Sequence, residues 1–318
     1  MKSVVRKTAI ATLILGAGSG CLTLDPFLYT PEVVEMFGWD DDPCDPQLAG
    51  ELAEVEHQKN GAPAAGCHPS FIPADSRHEG FVQAEGRQVH YVFAHRENAR
   101  ATIFYSHGRS KHLGRYWDRV ERLWQLGFSV LIYDYPGYGR SEGEPNEAGI
   151  RANAMAAVEL LPTLVDVDAE NVYFMGYSMG GAPTLAMALF ASSGAIDTRP
   201  RALVTESAFC STETLIEDGS YLNLPVEFLA ENAFDNCSAL SQLDGEFPVL
   251  IMHGAGDSFV LPVHAKKLLA ASEGEAELFM VAGADHIELP GVGGEAYVNR
   301  LVGFLSAGGS SETRPSPD

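Results

Sequence analysis

The chain has 318 residues, 46% of them hydrophobic, with 21 Lys and Arg against 43 Asp and Glu and a formal net charge of −22. That apolar share can fill a substantial core and excludes a wholly disordered chain, and length alone leaves one large domain or two small ones open. The acidic excess disfavours nucleic acid and anionic membrane surfaces as partners and gives solubility.

The N-terminal stretch stands apart from the rest. Lys2, Arg6 and Lys7 precede "TAIATLILGAGSG", an apolar run too short to cross a bilayer as a helix that ends in small residues before Cys21. The pattern is that of an export signal over residues 1–20. "GSGC" resembles a bacterial lipobox, in which the cysteine is lipidated and becomes the new N-terminus, although Gly18 stands where that motif usually has leucine. The resemblance implies an exported, membrane-anchored lipoprotein of the bacterial cell envelope; an ordinary cleaved signal and an uncleaved anchor are the alternatives. With Cys21 lipidated, four cysteines remain, and an exported protein can pair them. Cys44 with Cys67 and Cys210 with Cys237 is the most local of three connectivities. The chain has no CxxC or Cys/His zinc spacing, so no metal site is expected.

Residues 21–87 are rich in Pro, Asp, Glu and Gly and read as a tether plus a clasp on the main domain. The rhythm then changes. "QVHYVFA", "ATIFYSH", "FSVLIYDY", "NVYFMGY", "RALVTES", "FPVLIMHG" and "ELFMVAG" are short β-rich runs. Helical patterns lie between most of them, at Leu113 to Gln125, Glu147 to Leu164, Met179 to Phe190 and Val263 to Ala271, with a last helix near Glu295 to Leu305. Strands alternating with helices predict an α/β fold with a mostly parallel sheet covered on both faces, over 88–306. The interval from Ser207 to Glu246 is too long for an ordinary loop, and "TETLIED" and "PVEFLAENAF" within it look helical; it reads as a lid, at about 207–246, before the next strand. Residues 307–318 form a polar tail with no means of burying itself.

A serine hydroxyl is a weak nucleophile at neutral pH and needs a base, a group to orient that base, and donors for the oxyanion that forms. Gly176-Tyr177-Ser178-Met179-Gly180 is G-x-S-x-G between a buried strand and an apolar helix, the placement of a nucleophile elbow with Gly176 and Gly180 as its small residues. His286, beyond the last strand, is the candidate base. Asp257, at the end of the strand before it, is the candidate acid, with Glu206 the alternative because it also ends a strand between Ser178 and His286. Asp134 lies upstream of the serine and reads as a loop residue, His253, His107 and His112 fit strand ends or turns, and Asp285 could tune His286 without orienting it. For the oxyanion, the Met179 N–H is one donor by position, and the loop after "ATIFYSHGRS" nominates the Arg109 N–H as the other, with Ser110 its neighbour. The Arg109 side chain is read equally as solvated or as a partner for an anionic substrate group.

"YSHGRSKHLGRY", "SVLIYDYPGYGRSEGEP", "GYSMGG", "PVLIMHGAGD" and "GADH" together resemble the α/β-hydrolase superfamily. The most similar branch holds lid-bearing serine esterases, lysophospholipid and monoacylglycerol hydrolases and acyl-protein thioesterases. The resemblance covers about Gln88 to Leu305 and implies the α/β-hydrolase fold, Ser178 as nucleophile, Asp257 as acid, His286 as base, and Arg109 and Met179 as oxyanion donors, with no cofactor. It departs at "HGRS", where this branch commonly has asparagine after HG. The expected activity is hydrolysis of a small-molecule or lipid-like acyl ester or thioester. A prolyl-oligopeptidase-type peptidase and a non-catalytic binding scaffold are the rivals; the first lacks its propeller-length N-terminal domain here and the second usually loses a member of the triad.

Overall fold

The computed structural model describes residues 28–37, 70–218, 234–272 and 276–308. Cys21, Cys44 and Cys67, much of "PVEFLAENAF" and nearly all of the polar tail lie outside them. A short strand β1 (Thr30–Pro31) is followed by β2 (Arg77–Ala84), β3 (Arg87–Ala94), β4 (Thr102–Ser106), β5 (Ser110–Lys111) and helix α1 (Trp117–Gln125). Next come β6 (Ser129–Tyr133), α2 (Glu147–Leu160), β7 (Val172–Tyr177), α3 (Gly181–Ser193), β8 (Leu203–Glu206), α4 (Thr212–Glu217) and α5 (Asn236–Leu243). The chain continues through β9 (Val249–Gly254), α6 (Val263–Ala271), β10 (Ala276–Val281) and α7 (Leu289–Ser306). Each of the seven apolar runs forms a strand of one eight-stranded sheet, ordered β10-β9-β8-β7-β4-β6-β3-β2. It is parallel from β10 to β6, and β3 and β2 pair antiparallel at one edge.

The period-two pleat sorts the strand side chains onto two cores. Phe93, Phe104, Leu131, Phe174 and Ile251 face one layer with Ile150, Leu185, Leu240 and Leu268 from α2, α3, α5 and α6. Their neighbours Val92, Ile103, Ile132, Met175 and Met252 face the other, with Val120 and Leu123 of α1 and Leu301 and Phe304 of α7. Both faces being covered is why the central runs are continuously apolar. Helix α3 is buried along nearly its whole length, so its sequence is hydrophobic all round rather than on one stripe.

Three elements differ from the sequence expectation. The segment expected to be only tether and clasp contributes β2, so the sheet starts before Gln88. As an edge strand with mostly exposed or half-buried side chains, "RHEGFVQA" lacks an apolar face that would reveal it. Within the Ser207–Glu246 interval "TETLIED" forms α4 as expected, and α5 adds a helix after "PVEFLAENAF", where none was expected. Its start is fixed by Asp235, whose carboxylate accepts the Ser238 N–H at 2.8 Å. Helix α7 begins at Leu289 rather than near Glu295, and Gly294 (φ 48°, ψ −129°) kinks it. Only the part beyond that kink carries the expected periodicity.

The interval leaves and returns at one place. Cys210 and Cys237 are joined by a disulfide with Cα atoms 4.9 Å apart, the Cys237 N–H donates to the Cys210 carbonyl at 3.0 Å, and the Thr212 N–H donates to the Phe234 carbonyl at 3.1 Å. From α6, buried His264 accepts the Cys210 N–H at Nδ1 (3.2 Å). Its pKa is pushed down to about 4, by burial first, against the attraction of Asp218 and with Lys267 adding to the fall. A histidine kept neutral in the fold stabilises it above the ordinary histidine range and loses that contribution as pH falls from about 6.5 towards 4. We therefore expect His264→Gln to lose less of its thermal midpoint than the wild type between pH 7 and 4.5. Expressed as unfolding free energy the difference should be on the order of 2 kcal/mol, and parallel pH profiles of the two midpoints would contradict this.

Candidate active site

Strand β7 delivers Ser178 at its end. The backbone there turns through φ 53°, in the left-handed region, and a one-turn 3-10 segment, Ser178–Gly180, leads into α3. For a non-glycine residue that conformation costs about 1–2 kcal/mol, which the packing around the turn must hold in place. The glycines on either side explain how. A Cβ on Gly176 would lie 2.2 Å from the Gly180 carbonyl oxygen, and one on Gly180 would lie 2.0 Å from the Ser106 carbonyl oxygen at the end of β4. Any side chain at either position would force the strand, the turn and the neighbouring loop apart.

Two further loops at the same sheet end bring their side chains to this serine. Ser178 Oγ is 3.0 Å from His286 Nε2, and His286 Nδ1 is 2.8 Å from Asp257 Oδ2. Asp257 follows β9, and its other oxygen accepts the N–H groups of Phe259 (2.9 Å) and Val260 (2.8 Å). Burial opposes the charge on Asp257, but the hydrogen bonds from His253, His286 and Val260 outweigh it and hold the carboxyl well below the usual carboxylate range. Asp257 is therefore ionised at neutral pH. His286 is fixed through its backbone as well: its N–H donates to Asp285 Oδ1 (2.8 Å), and its carbonyl accepts the hydroxyls of Ser207 (3.1 Å) and Tyr177 (3.3 Å). The Phe259 ring packs on the imidazole at 4.7 Å. Such a line can take a proton from the serine onto imidazole while the carboxylate balances the charge that forms.

The loop after β4 carries Arg109, and Met179 is the middle residue of the turn that leads to α3. The His107 ring lies among Tyr116, Tyr135 and Tyr138, and its Nε2 is 3.5 Å from Asp134 Oδ1. Asp134 is fully buried and accepts the Leu113 N–H at 2.6 Å. Burial alone would raise its pKa, yet contacts with His107 and His90 bring it down to about 2. The Arg109 guanidinium lies 5.1 Å from the centre of the Phe259 ring, beside the histidine.

Glu206, the alternative acid, is elsewhere. It is buried against Arg119 and accepts the Tyr297 hydroxyl at 2.8 Å, so both of its oxygens are occupied beneath the site. His253, read as a strand-end residue, does more than that. Its Nε2 is 2.9 Å from the Val260 carbonyl and 3.3 Å from Asp257 Oδ2, which places it behind the acid. The spacing His253-Gly-Ala-Gly-Asp257 was visible in the sequence, but alternation along a strand says nothing about a contact made by the loop folding back. A cavity of about 210 Å³ between α2, α3 and α5, lined by Arg151, Leu189, Phe234 and Gln242 among others, includes none of Ser178, Asp257 and His286.

A family model described as serine aminopeptidase, S33 matches residues 97–230. The chain is 28% identical over 213 residues to the uncharacterized protein YfhR of Escherichia coli O157:H7, spanning 66% of this chain and 71% of that one. It is 30% identical over 213 residues to α/β hydrolase domain-containing protein 17B of Homo sapiens, spanning 66% of this chain and 67% of that protein. The chain belongs to the α/β-hydrolase superfamily. An esterase structure from Pyrococcus furiosus shares the fold of this α/β hydrolase with a TM-score of 0.57 at 17% identity, over 73% of this chain and 90% of that one. Within the hydrolase scaffold it is the parallel part of the sheet that sets the candidate site, since Ser178, Asp257, His286 and Arg109 follow β7, β9, β10 and β4.

Proposed function

We propose that this hydrolase cleaves carboxylic esters or thioesters of hydrophobic acyl groups, with Ser178 as nucleophile, His286 as base and Asp257 as the acid that orients it. The observation that carries the reading is the continuous line from Ser178 through His286 to Asp257, 3.0 and 2.8 Å, on a left-handed turn. Ser178 Oγ attacks the acyl carbonyl carbon and passes its proton to His286 Nε2. The N–H groups of Met179 and Arg109 receive the oxyanion. The tetrahedral intermediate collapses as His286 protonates the departing alcohol or thiol, leaving an acyl-Ser178 ester. Water, deprotonated by the same imidazole, then releases the acid and restores the serine.

The hydrophobic acyl preference rests on the long Ser207–Glu246 interval at the carboxyl end of the sheet, which we read as a lid, and on an envelope location. In that reading Cys21 carries the lipid. Six residues, 22–27, lie between it and Leu28, where the described chain begins, so the reach is seven residue steps. A fully extended tether of that length spans at most about 25 Å, which would keep the enzyme close to the bilayer.

The test is a fluorophosphonate probe followed by a panel of p-nitrophenyl esters of graded chain length. Ser178 should be the labelled residue, and the longer acyl chains should be turned over with the higher kcat/KM. An unlabelled Ser178 would leave a binding scaffold, and faster turnover of aminoacyl p-nitroanilides than of esters would favour the peptidase that the matching family model describes.

A further inference from the structure

The segment before the sheet reaches back onto the candidate site. Strand β1 (Thr30–Pro31) pairs in parallel with β5 (Ser110–Lys111), which directly follows Arg109. The attachment continues beyond the pair. The Glu32 N–H donates to the Lys111 carbonyl (2.9 Å), the Gly139 N–H to the Glu32 carbonyl (2.8 Å), and the Val34 N–H to the Gly139 carbonyl (2.9 Å). The Glu32 carboxylate meets Lys111 Nζ at 3.0 Å. Tyr29 is buried, edge-on to Phe234 at the returning end of the long interval.

The contacts converge on the peptide planes around Arg109. The Arg109 carbonyl accepts three donors: the Tyr138 hydroxyl at 2.8 Å, the Thr30 hydroxyl at 3.0 Å and the Thr30 N–H at 3.2 Å. On the other side of that plane, the Ser110 N–H donates to the Tyr116 hydroxyl at 2.9 Å. The preceding plane, which carries the Arg109 N–H, is held by His107 Nδ1, which donates to the Gly108 carbonyl at 2.6 Å. The plane before that is held by the Tyr135 hydroxyl on the His107 carbonyl. Three consecutive peptide groups are thus clamped, and only the last takes donors from a part of the chain remote from the hydrolase sheet. A peptide group whose carbonyl is fully bonded cannot rotate to aim its neighbour's N–H elsewhere, and oxyanion donors contribute to rate only when they are aimed before the charge develops.

We propose that the N-terminal segment is a working part of the oxyanion site, with Thr30 a positioning residue that acts through the Arg109 backbone. The matching family model begins at residue 97, so this strap lies outside what the family match covers. The inference rests on the reading of Arg109 N–H as an oxyanion donor.

The experiment compares full-length wild type with Thr30→Val, Thr30→Ser and Thr30→Val/Tyr138→Phe. Steady-state kinetics on a short p-nitrophenyl ester are measured beside the affinity for an alkyl trifluoromethyl ketone, to which Ser178 adds to form a bound oxyanion. Thr30→Val should lower kcat about 3- to 10-fold with KM little changed and weaken the ketone by a similar factor, a small share of what losing a whole donor costs. Thr30→Ser should restore both, and the double variant should lose more than Thr30→Val alone. A kcat for Thr30→Val within twofold of wild type, or a lower kcat with unchanged ketone affinity, would overturn the proposal. Failure of the hydrolase reading looks different, because wild type itself would then neither turn over the ester nor take the fluorophosphonate label.

Discussion

Ser178→Ala should lower kcat on an activated ester by about 10⁴- to 10⁶-fold while leaving the unfolding midpoint close to that of wild type. The size follows from the division of labour at the site. With the hydroxyl gone, no acyl-enzyme forms, and water attacking in its place retains only what oxyanion binding and substrate placement contribute. Asp257→Asn should cost about 10⁴-fold, because an amide in place of the ionised carboxylate can present an N–H to His286 Nδ1 and select the wrong tautomer. Glu206→Gln is the informative companion, since Glu206 is already occupied by Arg119 and Tyr297. If, with the fold intact, Glu206→Gln lost about 10⁴-fold while Asp257→Asn kept its activity, the acid would have been assigned to the wrong strand end.

The largest effect on stability is expected from Arg119→Met, at about 3–5 kcal/mol. Arg119 on α1 is buried, pairs with fully buried Glu206 at the end of β8, lies 3.8 Å from the centre of the Tyr177 ring and reaches the Ile287 carbonyl at 3.4 Å. Glu206 in turn holds the Tyr297 hydroxyl on α7. One ion pair therefore ties two helices to the strand beside the elbow and touches the loop that carries His286. Removing the cation leaves a carboxylate in the interior with one remaining donor. The pair itself is worth much less than its rupture, because both ions were desolvated to form it. Arg119→Met combined with Glu206→Gln should consequently recover most of the loss, the glutamine still accepting from Tyr297. Chemical denaturation of the two single variants and the double would decide, and additive losses would refute the account.

The legible parts of this molecule were those whose physics is local. The run "NVYFM", the glycine-flanked serine and the apolar "APTLAMALF" each follow from neighbours in sequence, so the strand, the turn and the helix could be placed before any fold was known. Ser178, Asp257 and His286 could be nominated because each stands at the end of a strand, and parallel strands present their ends on one side. Partnerships formed only by folding were not legible. Nothing around Glu206 announces Arg119, 87 residues away, and His253 reaches Asp257 only because the loop between them doubles back. Strand β2 was missed because its edge position lets water satisfy what a core strand must bury. Thr30 was missed for a different reason, since it stands in an irregular stretch whose partner is itself only two residues long.

The Cys210–Cys237 bridge makes the segment between β8 and β9 modular. A segment whose two ends are covalently joined returns to its starting point whatever lies between, so residues can be exchanged, added or removed there without shifting the register of β8 against β9. Closing a loop of that size in the unfolded chain contributes about 3–4 kcal/mol by the chain-entropy account, enough to offset the disorder that a longer or more polar insert would bring. The loops that carry Ser178, Asp257 and His286 are thereby insulated from changes made between the two sulfurs.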